Sequence, residues 1–340
     1  MQTTLKLTAL AIAASCALFT GAFSLPAMSA DAPAAARVTF DGNIKNNSLA
    51  LSPDESTAVV SYSERPDVVV YDLKKGAVRG VLRGYVTPRN IVFAPDGKFF
   101  YVSDSSLGEV VKVDTAKLKP VAHLSAGPGA FGTALSKEGS TLYVNNQATS
   151  TVTRFDTRTD QARAVITGFA QPRQGVRLSP DGHKLYVTNF LGDKVTIVDT
   201  QTDKVEGEIA GFNKIRAISV TADGKTMFAA NSGTNNIAVV DIAKREILST
   251  VAVGKDPYGA ALTPDGQLIY AGNLADNTVS VIEVATLKVL TTIIGFKQPR
   301  QAIVFTRDGK LAYVLNEDLS VSKVDRASQQ IVGTLTAPKL

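Results

Sequence analysis

The chain has 340 residues, one cysteine, no tryptophan, and a net charge of +5 from 36 Lys+Arg against 31 Asp+Glu. That charge is too small to argue by itself for nucleic acid or an anionic membrane as partner. A single cysteine excludes an intrachain disulfide and any site built on paired thiolates.

The first 30 residues read as a secretory signal. Lys6 supplies the positive region, Leu7 to Leu25 is apolar, and Pro26-Ala27-Met28-Ser29-Ala30 offers small residues for cleavage. The expectation is a periplasmic or secreted protein with no stable membrane insertion after cleavage. A lipid-modified Cys16 is disfavoured because the apolar run continues well past it. Cleavage would remove Lys6 and Cys16, leaving 35 basic against 31 acidic residues, a net charge of +4 and no thiol. Residues 31–36 read as a short leader, and residues 37–340 as one domain.

From about residue 44 one pattern recurs seven times. An acid occupies the same turn position at Asp54, Asp96, Glu138, Asp181, Asp223, Asp265 and Asp308, with steps of 42 or 43 residues. A period of that length, made only of short strand-like segments, implies a propeller with one blade per repeat. The fourth repeat is the clearest. Gln174 to Leu178 is a strand candidate, and Ser179-Pro180-Asp181-Gly182 turns the chain. Lys184 to Asn189, Lys194 to Asp199 and Lys204 to Ile209 follow as three more strands. The fold class is therefore all-β, a seven-bladed β-propeller of four-stranded antiparallel blades. Two segments compete to complete blade seven: Arg37 to Asp41, and Gln330 to Leu335. The local C-terminal hairpin closes the shorter loop and is the expected solution.

Tyr186-Val187-Thr188-Asn189 carries the signature of the YVTN-repeat β-propeller family, which the chain resembles from about residue 44 to 336. The resemblance implies the fold. It leaves the role open among YncE-like DNA-binding propellers, surface-layer proteins and lactonase-like enzymes. No WD or GH dipeptide recurs, so the WD40 pattern is absent.

Features present in every repeat belong to the scaffold. The turn acids, the Asn closing the second strand and the Asp closing the third are read as backbone-bonding residues. The segment entering each first strand varies instead. It ends in Arg89, Arg173, Arg216 and Arg300 in blades two, four, five and seven, while blades three and six carry Phe131-Gly132 and Tyr258-Gly259. Blades two to four resemble five to seven in order, with corresponding turn acids 127 residues apart. Blades four and seven share Gln-Pro-Arg-Gln and one additional residue before the turn acid, as a β-bulge requires.

Propeller geometry gathers these arginines around one mouth of the central channel. The planar guanidinium bonds carboxylate or phosphate through two parallel donors. Arg89, Arg173, Arg216 and Arg300, with Gln174, Gln301, Phe131 and Tyr258 shaping the opening, are the candidate site for an anionic ligand or a protein partner. Single-stranded DNA is one version, since such binding uses basic and aromatic surface. The competing reading makes each arginine a bridge between blades through an acid such as Asp104, Asp193 or Glu317. Tyr85, Phe169, Phe212 and Phe296 read first as packing plugs between blades.

His123 falls in an outer strand and His183 in a turn on the opposite face, so no histidine base or metal site is expected at the mouth. No phosphate loop and no nucleophile elbow occurs in the needed context. A lactonase-like hydrolase would draw its acid or base from Asp104, Asp256, Glu317 or Asp318. The expected protein is a monomeric, non-catalytic binding propeller without cofactor or metal, with the hydrolase and a protein-interaction scaffold as alternatives.

Overall fold

The computed structural model describes residues 44–338. They form seven four-stranded antiparallel sheets, each from one uninterrupted stretch of chain with its strands paired in sequence order. No helix occurs among the described residues. The expected signal, the leader and Arg37 to Asp41 lie outside them.

Blade four shows how sequence becomes sheet. Its strands are Pro172–Leu178, Lys184–Asn189, Lys194–Asp199 and Lys204–Ile209. The inner strand thus begins two residues earlier than the sequence pattern indicates. Asp181 holds the first turn by accepting bonds from the Ser179 hydroxyl at 2.5 Å and the His183 amide at 3.0 Å. Gly182 supplies the positive φ of 77°. Asp199 accepts the amides of Gln201 and Thr202 at 3.0 and 2.8 Å in the second turn. The recurring acids therefore secure turns, as expected.

Packing occurs between blades. Seven apolar clusters fill the seven seams, including one that joins Leu49, Tyr62 and Tyr71 of blade one to Tyr313, Leu319 and Val321 of blade seven. Each Val, Leu or Ile buried there contributes about 1.5–3 kcal/mol. Tyr85, Phe169, Phe212 and Phe296 sit in four of these clusters, which makes them the packing plugs.

Gln330–Leu335 completes blade seven as its outer strand. Polar contacts reinforce the seam to blade one: the Tyr71 hydroxyl donates to Leu319 O at 2.7 Å, and the Gln301 amide to Asn47 O at 2.6 Å.

The inner strands of blades two to five are kinked near their starts. In blade two Pro88 faces Asp104 and Ile91 faces Val102, so three steps oppose two. In blade four Pro172 faces Asn189 and Val176 faces Val187, so four oppose two. The additional residue of blade four widens the bulge beside Arg173.

Candidate functional site

A glycine at positive φ opens the entry segment in each arginine-bearing blade: Gly84, Gly168, Gly211 and Gly295, at φ between 95 and 100°. A side chain is strained in that conformation, which explains the residue type. The next residue is the buried aromatic plug. The chain is then tied to the end of the second strand: Asn189 Oδ1 accepts the Ala170 amide at 2.8 Å, and Asn316 Oδ1 accepts the Lys297 amide at 2.9 Å. The arginine follows at the start of the inner strand, or three residues before it in the case of Arg300, so all four lie on the face where second strands end.

The guanidinium groups and aromatic rings interleave around this face. Arg89 stacks 4.5 Å from the Phe131 ring of the next blade. Arg173 lies 3.4 Å from the Phe190 ring, and Arg216 lies 5.5 Å from that ring and 4.3 Å from Tyr258. Arg300, from the following blade, lies 4.8 Å from the same Tyr258 ring. Such contacts contribute about 0.5–2 kcal/mol each, more when desolvated. Edges of the guanidiniums are bonded as well. Arg89 donates to the Ser105 hydroxyl at 2.9 Å and to Ile44 O at 2.8 Å. Arg216 donates to the Ser232 hydroxyl at 3.0 Å, and Arg300 to Lys45 O at 3.0 Å.

Burial differs among the candidates. Arg89, Arg300 and Arg173 are 1, 3 and 8 % exposed, and Phe131 and Tyr258 are buried. Arg216 is half-buried and is the arginine most open to solvent. Gln301 turns its amide to Asn47, leaving its Oε1 buried without a hydrogen-bond partner. Gln174 lies in the inner strand of blade four, within the widened bulge.

Among the described residues no carboxylate forms an ion pair with Arg216 or Arg300. Three of the acids considered as bridges or bases are held by other groups. Asp104 is fully buried; its Oδ2 accepts Val86 N and Thr87 N at 2.7 and 2.9 Å, and its Oδ1 accepts Ser106 N and Leu107 N, both at 3.0 Å. Asp193 accepts the Ile215 amide at 3.3 Å, and Asp318 pairs with Lys297 at 2.6 Å. The Tyr62 hydroxyl is pushed up to about 12 by burial and by its bond to Glu64, with Arg300 pulling the other way. His123, on the outer strand of blade two, bonds Glu109 of the third strand at 3.0 Å, and His183 lies in its turn. No cluster of potential metal ligands occurs among the described residues.

Phe190 is the participant that the sequence pattern did not single out. It directly follows the Asn closing the second strand of blade four. Ser105 and Ser232 hold the same position in blades two and five, and each contacts the arginine of its own blade. The sequence carried only a partial signal: this position differs between blades, as Ser105, Gln147, Phe190, Ser232, Leu274 and Glu317.

No curated protein sequence matches the chain. Among solved structures, a chain described as Kuenenia stuttgartiensis hydrazine synthase is similar, with a TM-score of 0.75 and 20 % identity over 82 % of this chain and 95 % of that one. At that identity the likeness shows the fold alone. A family model described as lactonase, 7-bladed β-propeller matches residues 47–210 and 199–297. With most of the chain matched, and seven four-stranded blades in place, this protein belongs to the seven-bladed β-propeller lactonase family.

Proposed function

We propose that the protein is an extracytoplasmic binding propeller that takes an anionic ligand or partner at the arginine–aromatic face. The observation that carries the reading is the pair Arg216 and Arg300, held close to one Tyr258 ring with no carboxylate paired to either among the described residues. Cations in a partly desolvated setting favour an arriving anion. Arg216 makes the direct contact, and the more deeply buried arginines set the potential at the mouth. Because the rings are covered by guanidiniums, a polyanion such as single-stranded DNA would be held through its phosphates rather than by base stacking. Its binding would weaken steeply with salt and depend little on sequence.

Thermal unfolding with polyphosphate, single-stranded DNA and sugar phosphates tests this. A ligand at one hundred times its Kd stabilises by about 2.7 kcal/mol. The expected result is a shift that disappears in a folded Arg216→Gln/Arg300→Gln variant. A shift of equal size in that variant, or no shift with any of these anions, overturns the reading.

The family match favours a second reading, hydrolysis of a lactone whose carbonyl is polarised by Arg216. Acid release from a lactone panel, followed at constant pH, would support it if lost in Arg216→Gln.

A further inference from the structure

Four residues before each turn acid, the inner strands present one position in a shared register. Arg177 opposes Tyr186, Ser219 opposes Phe228 and Val304 opposes Tyr313. Ala50, Val92, Ala134 and Ala261 occupy the position in the other four blades. A single cation therefore stands in a ring of small and apolar side chains.

Arg177 lines two cavities of about 390 and 560 Å³, which share Ala217, Ile218, Gln301, Ile303 and Val304. The first is walled by inner strands of blades one to five and seven, so it is the axial channel. The side chain is open to this space yet enclosed by the ring wall, and burial lowers its pKa. Its Nη1 donates to the adjacent Val176 O at 3.3 Å. No carboxylate forms an ion pair with it among the described residues. Asp265 at the far rim is already held by Arg326 at 2.5 Å. Nearby, the Ser219 hydroxyl and the Gln301 Oε1 are buried without hydrogen-bond partners.

We propose that Arg177 anchors an anion site inside the channel, separate from the arginine–aromatic face, that takes the carboxylate of a short-chain aliphatic acid. The guanidinium fork matches a carboxylate in two parallel bonds. The Ser219 hydroxyl is a further donor on the wall. Ile218, Ala261, Ile303 and Val304 supply the apolar surface against which a hydrocarbon tail is removed from water. An inorganic anion would satisfy the charge and leave that wall wet. The site involves none of the four mouth arginines, so either proposal can fail without the other.

Calorimetric titration of the full chain with acetate, butyrate, hexanoate and inorganic phosphate tests it. Affinity should rise from acetate to hexanoate and exceed that for phosphate. Arg177→Gln, checked for folding by circular dichroism, should weaken hexanoate by about tenfold or more, with Arg177→Lys between, as loss of a bidentate charge-assisted contact predicts. Ala261→Leu leaves the arginine in place and fills part of the channel. It should weaken hexanoate while sparing acetate. The inference is overturned if no carboxylate binds the wild type, if Arg177→Gln binds hexanoate equally well, or if hexanoate binding is lost in Arg216→Gln instead.

Discussion

Asp104→Asn changes one atom and tests whether this buried acid belongs to the scaffold. In blades three, four, six and seven the residue closing the second strand is asparagine, and a hydroxyl on the third strand accepts its amide hydrogen. Asn146 donates to Thr153, Asn189 to Thr196 and Asn273 to Ser280, all at 2.9 Å, and Asn316 to Ser322 at 3.0 Å. Blade two has Val111 at the corresponding place, and valine accepts nothing. Asp104 instead receives four backbone amides. Asparagine there would lose the two bonds to Ser106 and Leu107 and bury an NH2 against their N–H groups. A hydrogen bond to a charged group contributes about 1.5–3 kcal/mol, and an unsatisfied buried donor costs about 1–3 kcal/mol. Allowing for relaxation, the expected loss is about 3 kcal/mol. Adding Val111→Thr should return about 1 kcal/mol as a coupling term, because the hydroxyl recreates the arrangement of the other blades. Urea unfolding of the four proteins in the cycle, read at constant m, gives both numbers. Asp104→Asn unfolding at the wild-type midpoint would refute the reasoning, as would a coupling indistinguishable from zero.

Tyr71→Phe removes the hydroxyl that donates to Leu319 O across the closing seam, and should cost about 1 kcal/mol in the same urea assay. Gly272→Ala would drive a methyl into the Arg300 carbonyl at the seam between blades six and seven. It should destabilise by about 1–3 kcal/mol, the range for overpacking, and Ala at Gly266, whose Cβ position is open, should lack the steric part of that cost. Acid titration of stability has a fixed sign. Hydrogen bonds from Ser52 and Ser56 hold Asp54 down to about 2, and those from Thr202 hold Asp199 down to about 2, against an ordinary 3.8. Folded carboxylates depressed in this way stabilise above pH 3.8, and that stabilisation is lost as pH falls toward about 2. Melting temperature should therefore drop through that window, and drop less in Asp54→Asn; an unchanged slope would contradict the assignment.

The repeat made the blades legible because each strand, turn acid and glycine recurs at a near-constant spacing, so local chemistry and global fold agree. The closing role of Gln330–Leu335 followed from loop length, and the wide bulge of blade four from one additional residue. The four arginines were legible as the variable element of a constant frame. What their side chains touch was not. Guanidinium and ring from different blades meet only once the ring has formed, so the Arg216–Tyr258–Arg300 stack has no local sequence signature. Arg177 was hidden for a related reason: in an alternating strand it reads as an ordinary polar position, and only the seven-fold register shows it standing alone.

Every described blade is drawn from one continuous stretch of chain, and among the described residues no strand is exchanged between blades one and seven. Among the described residues ladder pairing is thus completed within blades, while the joint between first and last is made of an apolar cluster and hydrogen bonds, including those from the side chains of Tyr71, Arg300 and Gln301 to backbone carbonyls. Such a joint can part without breaking a single ladder bond. The ring should therefore have a built-in first opening, at which blades one and seven release each other before any sheet unravels. Amides shielded only by that joint would exchange with solvent ahead of those shielded by the other six. In this respect the described ring would act as a split washer, opening first at the one seam that no described stretch of backbone crosses.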